Sequence, residues 1–159
     1  MKILIASSII VYSTVVLAEE PEFTYLEPKN VPGLTSDIAA KLEEKNCLVP
    51  KWRFEFGGVT KGEFAISGQT DIAVICTKNG MSEIIIFWGG PAKCPSNIKS
   101  TGQFISTVGK KYILDHYGYY GGNKPPKITH QAINDHYVEK SSVVKYCNNG
   151  NWVNLVGAD

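Results

Sequence analysis

The sequence predicts an α+β fold, namely a curved antiparallel β-sheet with one short N-terminal helix and two disulfides. Three observations lead to this prediction. Asn79-Gly80 and Asn149-Gly150 each separate two runs of strand-forming residues, which is the strongest short-range signal of a β-hairpin. One segment near the N-terminus carries helix-capping signals at both ends. Four cysteines follow an export signal, and an even count in an exported chain favours disulfides.

Residues 1–18 have the pattern of a cleavable secretory signal. Lys2 precedes an apolar run over residues 3–17, and the small residue Ala18 closes it. An uncleaved membrane anchor is the alternative, but the run is shorter than the ~20 residues that span a bilayer. We therefore expect cleavage after Ala18. Residues 19–159 would then form a single α+β domain, in the periplasm or secreted, that does not associate with the membrane.

Charge and composition exclude two classes of partner. The chain has 16 basic and 15 acidic residues, which gives a formal net charge of +1. A near-neutral protein lacks the broad basic surface that attracts nucleic acid or an anionic membrane. We therefore expect neither of these as a partner, and no residue pattern in the chain requires a cofactor.

The first part of the mature chain predicts an extended segment followed by a helix. Residues 19–33 contain three prolines and few apolar side chains. Residues 36–45 start at a Ser/Thr cap within Thr35-Ser36, carry an acid in the first turn and end with a lysine before Asn46. These signals predict one short helix over residues 36–45, with a narrow apolar stripe that packs against a sheet.

Residues 71–77 and 82–88 predict the central hairpin of the sheet. Both runs are rich in isoleucine and valine, and Asn79-Gly80 lies between them. Each run is apolar on both of its alternating faces, which is typical of a strand covered on both sides. We therefore expect this hairpin to form the centre of the core.

The second half of the chain predicts a further strand, an irregular loop and a closing hairpin. Residues 103–108 have strand character, and residues 109–117 fit either a short helix or a turn. Residues 117–126 are rich in tyrosine, glycine and proline, which predicts a long irregular loop. Residues 128–139 are ambiguous between strand and turn. Residues 142–155 predict a second hairpin.

The cysteines predict two disulfides, and they are Cys47, Cys76, Cys94 and Cys147. Four cysteines allow three pairings, and spacing alone does not choose among them. We favour Cys47 with Cys76 and Cys94 with Cys147. A zinc site is the alternative, but the chain has no Cys-x-x-Cys pair and no cysteine with a histidine close by.

Residues 62–74, with the sequence Gly-Glu-Phe-Ala-Ile-Ser-Gly-Gln-Thr-Asp-Ile-Ala-Val, contain the one recognisable motif. The motif resembles a single FG-GAP (VCBS-type) repeat, in which Gly-Asp-Phe precedes a short calcium loop and Asp-Leu-Ala-Val begins the next strand. The residues that fit this pattern are Gly62, Phe64, Gly68, Asp71, Ala73 and Val74. The resemblance implies a strand–loop–strand segment, but the chain is too short for the blades of a whole propeller.

The calcium positions of that repeat are largely replaced in this chain. Where the family places acidic or amide ligands, the chain has Glu63, Ala65 and Ser67. Calcium takes six to eight oxygen ligands, several of them from carboxylates. Only Glu63 and Asp71 offer carboxylates, so we expect no metal here. We expect Asp71 to have a structural role instead, bonding to local backbone N–H groups.

Several other segments together are similar to a group of small exported bacterial proteins. These segments are residues 42–50, the strand that ends at Cys76, residues 130–133, residues 139–141 and residues 150–152. The resemblance implies a bacterial periplasmic location and carries no catalytic residues.

The histidines are weak candidates for a metal site. His130, Asp135, His136 and Glu139 are close in sequence, and on a strand a spacing of six would place both imidazoles on one face. A metal site requires three or four convergent ligands. We favour the simpler interpretation, a polar turn with half-exposed histidines.

The tyrosine-rich loop is the main candidate for a binding site. Tyr117, Tyr119, Tyr120 and Asn123 lie among glycines, and large amphipathic side chains on an adaptable backbone suit recognition of proteins or glycans. The alternative is a packed loop whose tyrosines cover the sheet. Tyr119 and Tyr120 are the first candidates because they are farthest from the flanking elements.

Three functions from different classes follow. The leading hypothesis is a non-catalytic periplasmic protein that binds a macromolecular partner, such as an inhibitor of a cell-envelope hydrolase or an immunity protein against a toxin. The second is a small envelope hydrolase with an acid/histidine site, which requires a deep cleft that holds His116 or His130 beside a carboxylate or hydroxyl. The third is a glycan-binding module, which requires exposed and coplanar tyrosines near residues 117–120.

Overall fold

A computed structural model describes residues 23–52, 57–138 and 140–158. The strands are β1 (Phe23–Leu26), β2 (Val49–Trp52), β3 (Val59–Gly62), β4 (Asp71–Lys78), β5 (Met81–Phe87), β6 (Asn97–Lys99), β7 (Phe104–Val108), β8 (Ala132–Tyr137), β9 (Ser141–Asn148) and β10 (Asn151–Val156). The helices are α1 (Ser36–Glu44) and α2 (Lys110–Tyr120), and a 3₁₀ turn covers Pro28–Asn30. The predicted export signal lies outside the described residues. None of the described helices has the length and apolar character needed to cross a membrane.

The strands form three antiparallel sheets. One is the pair β1-β2, the second has the order β3-β4-β5-β6, and the third has the order β10-β9-β8-β7. The fold is therefore mostly antiparallel β-structure with helices, as the sequence predicts. The prediction of a single sheet was too simple, because the division into separate sheets depends on contacts between segments that are distant in sequence.

Both predicted hairpins are confirmed. β4 pairs with β5 from Ile72–Phe87 to Lys78–Met81, and β9 pairs with β10 from Asn148–Asn151 to Val143–Val156. The turn residues all have positive φ, at 51° and 75° for Asn79-Gly80 and 50° and 78° for Asn149-Gly150. A two-residue turn with both residues in this region matches the right-handed twist of paired strands, and asparagine and glycine adopt it at least cost.

The predicted N-terminal helix is confirmed as α1. The Thr35 side chain accepts a hydrogen bond from the Ile38 backbone N–H at 3.4 Å, so it serves as the N-cap. Asn46, just past the end of the helix, has a φ of 57° and turns the chain toward Cys47. Ala39 and Leu42 are the buried residues of the helix.

A second helix, α2, corrects the prediction of one helix. The sequence predicts either a short helix or a turn over residues 109–117, and an irregular loop over residues 117–126. In the structure the helix continues to Tyr120. Gly121, with a φ of 76°, ends it. Gly118 has a low intrinsic helix propensity. The fully buried Ile113 and the ring stack described below stabilise the helix despite this glycine.

The elements stack in layers around the central hairpin. Leu42 of α1 packs with Val74 on one face of β4 and β5. Ile75, on the opposite face, packs with Ile133 of the second four-stranded sheet, and Ile113 of α2 covers the far side of that sheet. The prediction that the hairpin is covered on both sides is confirmed. Each such buried aliphatic side chain contributes about 1.5–3 kcal/mol to folding.

The favoured disulfide pairing is also confirmed. Cys47 pairs with Cys76 and joins the end of α1 to β4, whereas Cys94 pairs with Cys147 and joins the loop after β5 to β9. Disulfides of this kind are typical of proteins that mature outside the reducing cytosol.

Candidate functional site

The C-terminal part of α2 presents an ordered group of aromatic rings. We call the group the α2 aromatic surface, and it consists of Tyr112, His116, Tyr119 and Tyr120. Residues four apart lie on one helix face, so Tyr112, His116 and Tyr120 line up along the helix axis. Tyr119 stands beside the end of this row.

The rings of this surface stack on one another. The centroids of Tyr112 and His116 are 3.8 Å apart with planes at 26°, and those of His116 and Tyr120 are 5.9 Å apart at 29°. Tyr119 meets Tyr120 edge to face, at 4.8 Å and 79°. Aromatic contacts of these two geometries are each favourable by about 0.5–1.5 kcal/mol beyond burial. The row is therefore pre-ordered before anything binds to it.

Hydrogen bonds fix the inner end of the row. The Tyr112 hydroxyl accepts hydrogen bonds from the Asn134 side-chain amide at 2.9 Å and from the Ala158 backbone N–H at 3.2 Å. The His116 Nδ1–H donates to the Tyr112 carbonyl oxygen at 2.8 Å. A carbonyl oxygen only accepts, so this contact assigns the proton to Nδ1 and sets the orientation of the ring.

The outer end of the surface is open. The exposed fraction of Tyr119 is 83%, and that of Tyr120 is 41%. A large aromatic side chain that is four-fifths exposed gains little from the fold, so its ring is available to a partner. Tyr119 and Tyr120 were chosen as the residues farthest from the flanking elements of a loop, whereas both lie in the last turn of α2.

The other predicted binding residues have different surroundings. Tyr117 lies on α2 about a third of a turn from the row and is half-buried, so it belongs to the packed side of the helix. Asn123 lies past the helix end and is exposed, next to glycines at 121 and 122 with φ of 76° and 93°. The glycan hypothesis requires coplanar tyrosines, but the rings of Tyr119 and Tyr120 meet at 79°.

A half-buried polar network connects α2 to the sheet beneath it. His136 Nε2 lies 2.8 Å from Ser106 Oγ and 3.1 Å from the Asn134 amide nitrogen. Burial lowers the pKa of His136, while the nearby charge of Asp135 opposes that shift. The Asn134 amide nitrogen can only donate, so this contact leaves Nε2 without a proton, and its single lone pair is shared between the amide and the Ser106 hydroxyl.

A shallow cavity of about 360 Å³ adjoins this network. It is lined by Trp52, Phe104, His136, Tyr137, Val138, Lys140, Ser141 and Ala158. Ser106 is half-exposed and is not among the residues that line this cavity.

His130 lies at the wall of a different cavity, of about 500 Å³, near the β9–β10 turn. Its Nδ1 is 3.1 Å from Thr129 Oγ1 and 3.3 Å from the Tyr146 hydroxyl, and its ring stacks on Tyr146. Burial lowers the pKa of His130, while hydrogen bonds to backbone carbonyls and the charges of Asp71 and Glu63 act in the opposite direction. The hydroxyl groups of Thr129 and Tyr146 therefore both lie beside His130.

The histidines do not converge on a metal site. Within residues 23–52, 57–138 and 140–158, no three His, Cys, Asp or Glu side chains form a group that could hold a metal ion. His130 precedes β8 and faces one cavity, whereas His136 lies within β8 and faces another. The even spacing of six did not bring them to one face because the strand begins only at Ala132. Glu139 lies outside the described residues.

Asp71 organises the loop that carries the FG-GAP-like motif. Its fully buried carboxylate accepts hydrogen bonds from the Phe64 backbone N–H at 3.0 Å, the Gln69 side-chain amide at 2.7 Å and the Gly89 backbone N–H at 2.9 Å. Glu63 accepts a hydrogen bond from the Ser67 hydroxyl at 3.1 Å. Asp71 therefore has the expected structural role, because its carboxylate oxygens accept hydrogen bonds from backbone and side-chain donors.

Sequence reasoning missed part of the site. Tyr112 and His116 were not included among the binding residues, although their spacing with Tyr120 is the i, i+4, i+8 pattern of one helix face. That signal was readable once residues 110–120 were taken as a helix. The hydrogen bonds from Asn134 and Ala158 to Tyr112 had no such signal, because they join segments 22 and 46 residues apart.

Comparison with known proteins adds no family to this description. No protein-family model matches the chain, and no curated protein and no solved structure is significantly similar to it.

Proposed function

We propose that this chain is a non-catalytic, exported protein that binds a macromolecular partner in the bacterial cell envelope through the α2 aromatic surface. Its concrete form would be an inhibitor of an envelope hydrolase or an immunity protein against a secreted toxin. The periplasm is the proposed location, on the basis of the predicted signal at residues 1–18 and the two disulfides.

The observation that carries the proposal is the exposure of Tyr119 at the end of a pre-ordered row of rings. Tyrosine is enriched at the energetic centres of protein interfaces, because it supplies large contact area with few rotatable bonds. A row fixed by helix geometry and by the hydrogen bonds of Tyr112 loses little further entropy on binding. The surface is therefore suited to one defined partner.

Tyr119 and Tyr120 favour a protein partner over a glycan. Sugar rings stack on flat aromatic platforms, whereas the planes of these two rings meet at 79°. An edge-to-face pair instead presents a ridge with hydroxyl groups at its tip. Such a ridge fits a pocket on a protein surface, where the rings become buried and the hydroxyls find partners.

The proposal is tested by capturing the partner with variants of the surface. The mature protein, immobilised, is incubated with envelope extract, and any retained protein is then purified for affinity measurement. Tyr119→Ala and Tyr120→Ala are each expected to weaken binding about 30-fold, which corresponds to about 2 kcal/mol for an aromatic hot spot. The matched control is Tyr25→Ala, which removes another exposed tyrosine, on β1, and is expected to leave the affinity unchanged.

Two results would contradict the proposal. One is the absence of any retained partner under these conditions. The other is a retained partner whose affinity falls equally in Tyr119→Ala and in Tyr25→Ala, because the binding surface would then lie elsewhere. A purified partner with hydrolase activity should also be inhibited by the wild-type protein in a peptidoglycan-clearing assay.

A small envelope hydrolase is the second candidate, and the hydrogen bond between Ser106 and His136 supports it. A neutral histidine that accepts a serine hydroxyl is the arrangement of a general base with its nucleophile. Release of p-nitrophenol from p-nitrophenyl acetate measures this activity. A rate above background that is lost in Ser106→Ala would favour the hydrolase over the binding protein.

A further inference from the structure

The last strand, β10, is a free edge of its sheet. Among the described residues it pairs with β9 alone, and the sheet order is β10-β9-β8-β7. The opposite edge of the same sheet is not free, because the Ile105 backbone N–H on β7 donates to the Gly57 carbonyl oxygen at 2.7 Å. The side of the sheet available to a further strand is therefore the β10 side.

The turn that joins β9 to β10 determines which backbone groups face outward. In a two-residue hairpin the residues that flank the turn, here Asn148 and Asn151, form a hydrogen-bonded pair, and such pairs recur at every second residue. The Gly157 backbone N–H donates to the Ser142 carbonyl oxygen at 3.2 Å, which follows this alternation. Residues 151, 153, 155 and 157 therefore bond to β9.

Trp152, Asn154 and Val156 consequently direct their N–H and C=O groups away from β9. Within the described part of the chain, none of these outward groups has a backbone hydrogen bond. Three successive ladder positions are thus available to another strand. An edge of this kind is a ready template for β-pairing.

The edge lacks the features with which proteins usually prevent such pairing. Lysine, proline, a bulge or a very short strand commonly protects an edge. The β6 edge of the neighbouring sheet is only three residues long and ends in Lys99. In contrast, β10 has six residues, Asn-Trp-Val-Asn-Leu-Val, without a charge or a proline.

The sequence of β10 is also complementary to itself. Around Asn154 the side chains follow the order apolar, apolar, amide, apolar, apolar over residues 152–156. If two copies pair antiparallel about Asn154, Trp152 of one lies opposite Val156 of the other, and Val153 lies opposite Leu155. Every outward backbone group then meets its complement, and every side chain lies opposite one of its own class.

We propose that two copies of this chain associate through antiparallel pairing of their β10 strands about Asn154, which joins two four-stranded sheets into one continuous sheet. The occupant of the edge is a second copy because the polarity of the strand is symmetric about its centre. This pairing does not depend on the proposed function.

Asn154 at the centre has the donor that the pairing needs. It is exposed, and its side-chain oxygen accepts a hydrogen bond from Lys145 Nζ at 3.2 Å. Its amide nitrogen makes no hydrogen bond to the described residues, so it can donate to the oxygen of the second Asn154.

The pairing would also set the geometry of the α2 aromatic surfaces. α2 covers the outer face of the sheet, and Gly122, just past its end, lies against Val156 of β10. A two-fold axis perpendicular to the sheet would keep both helices on the same face. The dimer would therefore present two aromatic surfaces side by side.

Sedimentation equilibrium of the mature, oxidised protein between about 1 and 200 µM tests the proposal. The wild-type protein is expected to show a reversible transition from one to two chains. Asn154→Pro removes the outward N–H at the two-fold axis without removing a bond to β9, and proline is tolerated on the open side of an edge strand. Asn154→Lys places like charges opposite each other at the same point. Each is expected to raise the dimer Kd at least tenfold.

Thr24→Lys, which adds a charge to the exposed β1 edge, is the matched control and should leave the dimer Kd unchanged. Circular dichroism verifies that each variant is folded. If Asn154→Pro is not folded, Asn154→Lys alone tests the pairing. A second readout is amide exchange at residues 154 and 156, which should slow as the protein concentration rises. A monomer over the whole range, or a dimer that persists in the folded Asn154→Lys variant, would overturn the proposal.

Discussion

The carboxylate of Asp71 is the clearest place to test how the fold is held together. It is fully buried and accepts three hydrogen bonds, two from backbone N–H groups and one from the Gln69 amide. Asp71→Asn keeps the volume of the side chain but replaces one acceptor oxygen with an NH₂ group. An NH₂ group in place of Oδ2 faces the Phe64 N–H, and an NH₂ group in place of Oδ1 faces both the Gly89 N–H and the Gln69 amide, so at least one buried donor loses its acceptor.

The expected cost of Asp71→Asn follows from this count. A hydrogen bond to a charged acceptor contributes about 1.5–3 kcal/mol, and a buried donor left without a partner costs about 1–3 kcal/mol. Because the variant also removes the cost of burying a charge, we expect a net loss of about 2–3 kcal/mol. With a urea m-value of about 2 kcal/mol/M, the midpoint of unfolding should fall by about 1–1.5 M.

Asp115→Asn is the matched control for this measurement. Asp115 is exposed and pairs with Lys111 on the surface of α2, where an ion pair contributes about 0–1 kcal/mol. Urea unfolding followed by tryptophan fluorescence, with the disulfides oxidised, compares the two variants. Equal and small decreases of the two midpoints would contradict a stabilising role for the hydrogen bonds of Asp71.

Three further predictions concern other parts of the molecule. The double variant Cys94→Ala/Cys147→Ala should lose about 4 kcal/mol in urea unfolding, because the disulfide closes a loop with a sequence separation of 53; a loss below about 1 kcal/mol would contradict this. Gly118→Ala, with nothing within 4 Å of the added Cβ, should gain about 0.5–1 kcal/mol from helix propensity, and an unchanged or lower midpoint would contradict it. Burial lowers the pKa of His136 below its ordinary value of 6.5, so the native state binds fewer protons than the unfolded state and stability should fall as pH drops below about 6.5. The fall between pH 7 and 5 should be smaller in His136→Gln, and an equal fall in both proteins would argue against this cause.

Local signals in the sequence account for the parts of the fold that were predicted well. The Thr35 cap, the two Asn-Gly turns and the apolar runs around them act over a few residues, so they can be read without knowing what lies nearby in space. The number of cysteines predicted two disulfides but did not fix their pairing. The spacing left three pairings open, and the favoured one agreed with the placement of Cys47 at the end of α1.

Non-local contacts account for what was missed. α2 extends to Tyr120 because Ile113 is buried against the sheet and because the rings of Tyr112, His116 and Tyr120 stack, and both effects overcome the glycine at position 118. Composition alone favoured a loop there. Tertiary packing commonly overrides intrinsic propensity in this way.

Buried polar groups were also beyond the reach of the sequence. Asp135 is almost fully buried and accepts hydrogen bonds from Ser100 Oγ at 2.9 Å and the Thr101 backbone N–H at 3.1 Å. Burial lowers the pKa of the neighbouring Lys145, whose Nζ donates to Asn154 at 3.2 Å. A charged residue on a strand is normally expected to face solvent. Asp135 and Lys145 are buried because another sheet packs against theirs.

Site-directed photo-crosslinking tests the proposed binding surface most directly. A photoreactive phenylalanine analogue is placed at position 119 on the α2 aromatic surface, or at position 25 on β1, and bacteria that express each form are irradiated. A single crosslinked protein from position 119, absent from position 25, is the result we expect. Equal products from both positions, or none from position 119, would contradict recognition through α2.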